Sequence, residues 1–141
     1  MRTVRSMVTL ALLAGWGCGG GDTTQLPTEA TVPGVYSLTI VNGLHLPFPY
    51  GFDTTGTRAI EISGGSITLG ADHSFKDVLV TKTFSQIGVD TVANTYTQTG
   101  TYVLNGSIVQ VTYPGLGVEA IAVTGNQLNR TNGGLVMTYQ K

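Results

Sequence analysis

Residues 91–113 read TVANTYTQTGTYVLNGSIVQVTY, and the polarity of this stretch alternates almost residue by residue. In its first half the odd-numbered positions are mostly threonine, whereas Tyr96, Tyr102 and Leu104 occupy the opposite face. A period of two residues is typical of a β-strand that is buried on one face. Asn105-Gly106 separates the two halves and favours a two-residue hairpin turn. The stretch therefore predicts two antiparallel strands, the first with a row of threonines facing water.

The same alternation recurs through residues 33–141, between short segments that favour turns. Consecutive hairpins build a meander, so we predict an all-β domain, an antiparallel up-and-down barrel of about eight strands. The pattern leaves open whether the barrel closes completely, and the two apolar faces of 74–84 leave its orientation open. On the first strand Tyr36, Leu38 and Ile40 are predicted to face inward. Besides the hairpin, the predicted strands are 35–41, 58–62, 66–69, 74–84, 117–123, 127–130 and 135–139.

The first residues of the chain predict an export signal. Arg2 and Arg5 precede an apolar run at 7–14, which is too short to span a bilayer but has the length of a signal-peptide core. The glycines, threonines and proline that follow Cys18 offer little to bury, which favours a flexible tether. The predicted organisation is a signal peptide at 1–17, Cys18 with a tether at 18–32, and the barrel at 33–141.

Gly15, Trp16 and Gly17 in front of Cys18 resemble the lipobox of bacterial lipoproteins, although Gly15 stands where that pattern has a leucine-like residue. The resemblance implies that diacylglycerol is attached to the Cys18 thiol and that cleavage makes this residue the new N-terminus. The protein would then be exported and lipid-anchored in the bacterial cell envelope, at the outer membrane or on its periplasmic face. Ordinary signal-peptidase cleavage is the alternative, and it would release a soluble secreted protein.

Gly34-Val35-Tyr36 opens the barrel domain and Val41-Asn42-Gly43-Leu44-His45-Leu46-Pro47 follows. These segments resemble the start of bacterial lipocalin-like domains, which often read Gly-x-Trp and then Val-Asn-Gly-x-x-Leu-Pro. The chain differs in having Tyr36 in place of the tryptophan and in lacking the C-terminal arginine that often packs near it. The resemblance implies an antiparallel barrel that binds a small molecule, without naming the ligand. Further matches are Ile67-Thr68-Leu69, Ala71-Asp72-His73-Ser74-Phe75, Gly100-Thr101-Tyr102, Asn105-Gly106 and Thr124-Gly125-Asn126-Gln127-Leu128.

The connection after the first strand, residues 42–56, is unusually apolar for a loop. Its large side chains recur at every second position, with Pro47 and Pro49 between them. In the lipocalin-like arrangement this connection lies over the mouth of the barrel, where it would be a lid that contacts a ligand. The alternative is an apolar plug that closes one end of a small barrel. The candidate lid residues are Leu44, Leu46, Phe48, Tyr50 and Phe52.

Six aromatic residues are predicted to face the barrel interior. They either pack with one another in a filled core or line a pocket for a small apolar or amphiphilic ligand. Two functions follow. One is a non-catalytic binding or carrier module, and the other is a filled barrel that serves the cell envelope as a structural or protein-interaction module, such as an assembly factor or inhibitor. The six residues are Tyr36, Phe75, Tyr96, Tyr102, Tyr113 and Tyr139.

Composition and motifs argue against other classes of function. Seven basic and eight acidic residues, with 11% of the chain charged, disfavour a nucleic-acid-binding surface. His45 and His73 lie far apart in the sequence without a cysteine partner, so no metal site is predicted. Asp72 falls in a predicted turn, and the chain has no Gly-x-Ser-x-Gly motif that would mark a nucleophile. We therefore predict no catalytic residue, metal or cofactor, and the sequence names no protein partner.

Replacing Cys18 by serine tests the predicted lipid anchor. Serine has no thiol to form the thioether with diacylglycerol, so we expect Cys18→Ser to lose incorporation of labelled palmitate in a bacterial host. The variant should also accumulate as an uncleaved or mislocalised precursor. Ser6→Ala, which keeps the cysteine, is the control and should be labelled like the wild type. Palmitate label that persists on Cys18→Ser would contradict the anchor.

Overall fold

The computed structural model describes residues 26–53, 56, 58–85 and 91–141. Its strands are β1 Gly34–Val41, β2 Leu44–His45, β3 Phe48–Phe52, β4 Arg58–Leu69, β5 Ser74–Ser85, β6 Thr91–Asn105, β7 Ile108–Tyr113, β8 Gly117–Thr124, β9 Gln127–Asn132 and β10 Leu135–Gln140. The hairpin predicted over residues 91–113 is formed by β6 and β7, which pair antiparallel. The all-β prediction is thus confirmed for the described part of the chain.

Eight of these strands close into an up-and-down barrel. Consecutive strands from β4 to β10 pair antiparallel, and β1 pairs with both β10 and β4. Gly34 lies opposite Leu69 across one of these seams, and Leu38 lies opposite Tyr139 across the other. The predicted architecture is therefore confirmed, and the closure that the sequence left open is complete. The two short additional strands β2 and β3 pair with β1 and β4.

Two β-bulges change which side chains face inward. The predicted strands at 58–62 and 66–69 are parts of the single strand β4, whose pairing with β5 shifts between Ile62 and Gly64. A second shift, between Leu38 and Ile40 of β1, leaves Ile40 half-buried and places Val41 in the core. The prediction that Ile40 faces the core is therefore wrong, because a bulge inserts one extra residue and reverses the alternation beyond it.

The orientation of β5 is settled by its pairing with β4 and β6. Phe75 is buried in the core, and Leu79 packs against that core. Asp77 lies between them at the same inward face and is also buried. Val78 and Val80, on the opposite face, are half-buried. A carboxylate therefore points into the barrel from a strand that otherwise presents apolar and threonine side chains.

One end of the barrel is closed by the chain that precedes β1, and we call it the closed end. Val32 is buried there, and its carbonyl accepts a 2.7 Å hydrogen bond from the Tyr36 hydroxyl. Lys141 Nζ donates to the carbonyls of Thr31 and Pro33 and lies 5.6 Å from the centre of the Tyr36 ring. The last residues of the predicted tether are thus packed against the barrel, and a lysine–tyrosine pair covers its base.

The strands differ in length around the barrel. β4, β5 and β6 have 12, 12 and 15 residues, whereas β7, β9 and β10 have 6 each. At about 3.3 Å per residue the long strands project past the short ones. This projection lies at the end that carries the β7–β8 and β9–β10 turns, which we call the open end. The closed-end half is filled by large side chains, among them Tyr36, Ile67, Leu69, Phe75, Tyr102, Ile121 and Leu128.

Candidate functional site

The open-end half of the barrel contains a cavity of about 690 Å³. This volume falls within the range of about 300–1,000 Å³ that is typical of small-molecule sites. Residues of β4, β5 and β6 form one wall, and residues of β9 and β10 form the other. The apolar part of the lining consists of Ile60, Ile62, Leu79, Leu135 and Met137.

The sizes of the inward side chains explain why this half of the barrel is not filled. Along β5 the inward residue changes from Phe75 in the core to Thr81 and Thr83 beside the cavity. Threonine leaves space near the barrel axis that an aromatic ring would occupy. Tyr50 and Tyr96, which are 55% and 59% exposed, also line the cavity and lie at its mouth. The cavity is therefore an open cup with aromatic residues at its rim.

Four polar side chains separate the cavity from the filled core, and we call them the polar layer: Asp77, Tyr113, Glu119 and Arg130. They come from β5, β7, β8 and β9 respectively. Asp77 lies one inward position beyond Phe75, whose ring contacts the Tyr113 ring edge-on with the centroids 5.5 Å apart. Asp77 and Arg130 also line the cavity. The polar layer thus lies between the two, forming the floor of the cavity on one side and the boundary of the apolar core on the other.

Arg130 holds the polar layer together. Its Nε and Nη2 donate to the two carboxylate oxygens of Glu119, at 2.7 and 2.9 Å. Nη1 donates to Asp77 Oδ2, and Nη2 also donates to the Tyr113 hydroxyl at 3.2 Å. The same hydroxyl donates to Glu119 Oε2 at 2.7 Å. A two-pronged arginine–carboxylate contact of this kind fixes orientation as well as charge, so the layer ties β5, β7, β8 and β9 together.

The surroundings of these groups fix their protonation. Burial opposes the charge of Arg130, but the hydrogen bonds with Glu119 and the charge of Asp77 outweigh it and raise the pKa of the guanidinium. Burial, followed by the hydrogen bond with Glu119, raises the pKa of Tyr113. Burial, aided by the charge of Asp77, raises the pKa of Tyr139 to about 12. At neutral pH Arg130 is therefore charged and the two phenols are neutral.

One oxygen of the polar layer has no partner within the described part of the chain. Asp77 is 6% exposed, and its Oδ2 accepts from Arg130, but its Oδ1 makes no hydrogen bond. A buried acceptor without a donor costs about 1–3 kcal/mol. The floor of the cavity is therefore built around a carboxylate that is half satisfied.

The predicted lid segment divides among three surroundings. Phe48 is buried in the core, and Leu46 packs partly against it. Tyr50 lines the cavity. Leu44 and Phe52 are 56% and 64% exposed. Because β2 and β3 extend the sheet along β1 and β4, the five side chains do not share one environment, and a role of the segment as lid or plug stays a prediction.

The predicted interior aromatic residues also divide. Each of the two alternatives, core packing and pocket lining, describes part of the set, because the barrel is filled at one end and hollow at the other. Tyr96 and Tyr139 line the cavity. Of the others, Tyr36, Phe75 and Tyr102 lie in the core, and Tyr113 belongs to the polar layer.

The two charged residues of the cavity floor, Asp77 and Arg130, were not among the residues predicted from the sequence. Asp77 lies two positions after Phe75, and Arg130 lies two positions after Leu128, so each shares a strand face with a large apolar residue. A charged residue at such a position is uncommon in a barrel core, and that was the available signal. For Asp77 this signal is informative only if the inward face of β5 is known. The apolar residues on both faces of that strand leave its orientation open in the sequence.

The described residues show no other obvious chemical centre. No group of three or more His, Cys, Asp or Glu residues among them could hold a metal ion. His73 Nε2 lies 3.0 Å from Glu29 Oε2 at the closed end, and His45 is exposed on β2. No helix within the described ranges is long and apolar enough to cross a membrane.

Comparison with known proteins finds no match: no family model, no curated protein and no solved structure matches this chain. The lipocalin-like resemblance and the lipobox therefore stay predictions. The barrel, its cavity and the polar layer beneath it are the features that bear on function.

Removing the guanidinium tests whether the polar layer stabilises the fold. Arg130→Met keeps a long side chain but leaves Asp77 and Glu119 without their cation, so the free energy of unfolding should fall by about 3–5 kcal/mol. Urea unfolding followed by circular dichroism measures the change. Arg58→Met, at an exposed position of β4, is the matched control and should stay within about 0.5 kcal/mol of the wild type. Equal stability of the two variants would contradict this role.

The raised pKa of Tyr139 predicts a loss of stability in alkali. Below the ordinary tyrosine pKa of 10.0 the phenol is neutral in the folded and unfolded states, and its stabilisation is complete. As the pH rises from 10.0 to about 12, the unfolded chain ionises first. The free energy of unfolding should therefore fall by about 2–3 kcal/mol for this group. Urea unfolding across this window should show a weaker pH dependence for Tyr139→Phe, and an unchanged dependence would contradict the prediction.

Proposed function

We propose that this protein is a non-catalytic binding or carrier module for a small apolar or amphiphilic ligand, exported and anchored in a bacterial cell envelope by a lipid on Cys18. The observation that carries the proposal is the cavity of about 690 Å³ inside the closed barrel. Its size suits a small organic molecule, and concave apolar sites with a few fixed polar groups are typical ligand sites.

The lining supports an apolar or amphiphilic ligand. Ile60, Ile62, Leu79 and Met137 offer apolar surface. Removing apolar surface of ligand and wall from water is favourable by about 25 cal/mol per Å², before the entropic cost of association is subtracted. Threonine hydroxyls higher in the cup and the charged floor below provide polar contacts at its two ends. A ligand with one apolar part and one polar group matches this distribution better than a uniformly polar ligand.

The filled-barrel alternative accounts for the packed closed-end half of the molecule but not for the cavity in the open-end half. Tight packing continues up to Phe75, and the polar layer follows it. A barrel that served only as a solid module would gain stability by continuing that apolar packing to the mouth. The cavity in the open-end half therefore favours the binding function.

The placement of the N-terminal segment is compatible with an anchor. Cys18 lies outside the described residues, but the chain reaches the barrel at the closed end, where Val32 is buried. A tether from a lipid on Cys18 would therefore join the barrel at the end opposite the mouth. Such an attachment would hold the protein at a membrane while the cavity stays accessible.

A tryptophan inside the cavity tests the binding function. The neutral probe N-phenyl-1-naphthylamine fluoresces in apolar surroundings, and we expect saturable binding to the wild type. Leu79→Trp places an indole where the ligand would lie, so its affinity for the probe should fall about tenfold or more. Val103→Trp, at an exposed position on the outer face of β6, is the matched control and should bind like the wild type. No binding to the wild type, or equal binding to both variants, would contradict the proposal.

A further inference from the structure

We infer that the cavity selects amphiphiles whose polar head is a hydrogen-bond donor, with a primary alkylammonium preferred, and that the head binds against Asp77. The inference rests on the proposed binding function and specifies the ligand class for that same cavity. It is carried by the unpaired oxygen of Asp77 together with the arrangement of charges in the polar layer.

The unpaired oxygen of Asp77 can accept a hydrogen bond from a ligand. Asp77 lines the cavity, is 6% exposed, and has an Oδ1 that accepts no hydrogen bond within the described part of the chain. A ligand that donates to this oxygen removes the cost of leaving a buried acceptor unsatisfied. A ligand whose head only accepts hydrogen bonds leaves that cost in place. The cavity floor therefore favours ligand heads that donate hydrogen bonds over heads that only accept them.

Arg130 does not offer an equivalent site for an anion. Four of its five N–H groups are already committed, to Glu119, Asp77 and the Tyr113 hydroxyl. A carboxylate or phosphate entering the cavity would have to compete with two protein carboxylates for the same guanidinium. The positive charge on the floor is thus neutralised from within, although Arg130 is itself a cavity-lining residue.

The formal charges of the floor favour a cation. Asp77 and Arg130 are the charged residues among those that line the cavity, and Glu119 lies on the far side of the guanidinium. Two carboxylates around one guanidinium leave one negative charge uncompensated, and the Tyr113 phenol, which burial keeps neutral, adds no charge of its own. Charges interact more strongly in a buried site than in water, so an ammonium head is attracted and a carboxylate head is repelled.

The residues that line the cavity above Asp77 indicate which chemical group of the ligand follows the polar head. Directly beyond Asp77 on the same face of β5 lies Leu79, and Met137 and Ile62 line the cavity as well. These side chains offer no strong hydrogen-bonding group to a ligand. An alkyl chain that extends from the floor would therefore contact apolar surface before it reaches Thr81 and Thr83 higher in the cup. A long-chain primary amine combines this chain with the donor head.

Three ligands with one alkyl chain and different heads test the inference. Dodecylammonium, dodecanol and dodecanoate, each below its micelle concentration, are used at neutral pH to displace N-phenyl-1-naphthylamine from the purified protein. We expect dodecylammonium to bind about tenfold or more tightly than dodecanoate, the scale of one charge-assisted hydrogen bond. Dodecanol, a neutral donor, should fall between them. Circular dichroism at each end point shows that the protein stays folded.

A variant at Asp77 tests whether this carboxylate causes the preference for an ammonium head. Asp77→Asn keeps the shape of the side chain but removes its charge, so the ratio of ammonium to carboxylate affinity should fall about tenfold. Asp72→Asn makes the same chemical change in the exposed β4–β5 turn at the closed end, and it should leave the ratio unchanged. If Asp77→Asn does not fold, the wild-type comparison of the three ligands decides alone.

The outcomes separate this inference from the function on which it rests. Equal affinity for the three ligands, or tightest binding of dodecanoate, overturns the preference for a donor head while the binding function stands. An ammonium preference that Asp77→Asn leaves intact overturns the assignment to Asp77. Absence of binding by the probe and by all three ligands overturns the binding function, and the inference fails with it.

Discussion

Arg130 can lie inside this barrel because anionic groups surround it, and that constraint organises the rest of the molecule. A buried guanidinium costs several kcal/mol unless it is paired and hydrogen-bonded. Glu119 on the next strand supplies two oxygens, and Asp77 supplies one from β5, on the opposite side of the barrel in the strand order. This contact crosses the interior, so it fixes the level at which the apolar core ends and the cavity begins.

The two sides of that level differ in how they are stabilised. Below it, large apolar side chains fill the barrel, and Val32, Tyr36 and Lys141 cover its base. Above it, β4 to β6 extend beyond the shorter strands, and Thr81 and Thr83 stand where a filled barrel would carry larger residues. Stability therefore comes mainly from the closed-end half. The open-end half can keep a cavity because the fold does not depend on filling it.

Local patterns predict the architecture better than they predict the site. Alternation and the Asn105-Gly106 turn suffice for the β6–β7 hairpin, because both signals are local in sequence. The core position of Val41 could not be predicted, since a bulge reverses the alternation within β1. The carboxylate of Asp77 meets the guanidinium of Arg130 across 53 residues, and no local pattern reports that contact. Of the cavity lining, Tyr50, Tyr96 and Tyr139 were candidates from the sequence, whereas the charged floor required the completed barrel.

A ligand that occupies the space above the polar layer would lie beside Met137, and NMR of labelled methionine methyl groups detects such binding. Met137 lines the cavity, whereas the other two methionines, Met1 and Met7, belong to the predicted signal peptide. As N-phenyl-1-naphthylamine is added, we expect a saturable shift of the Met137 methyl resonance, because the naphthyl ring would lie beside it. Saturable fluorescence of the bound probe with an unshifted Met137 resonance would show that the probe binds outside the cavity and would overturn the proposed site.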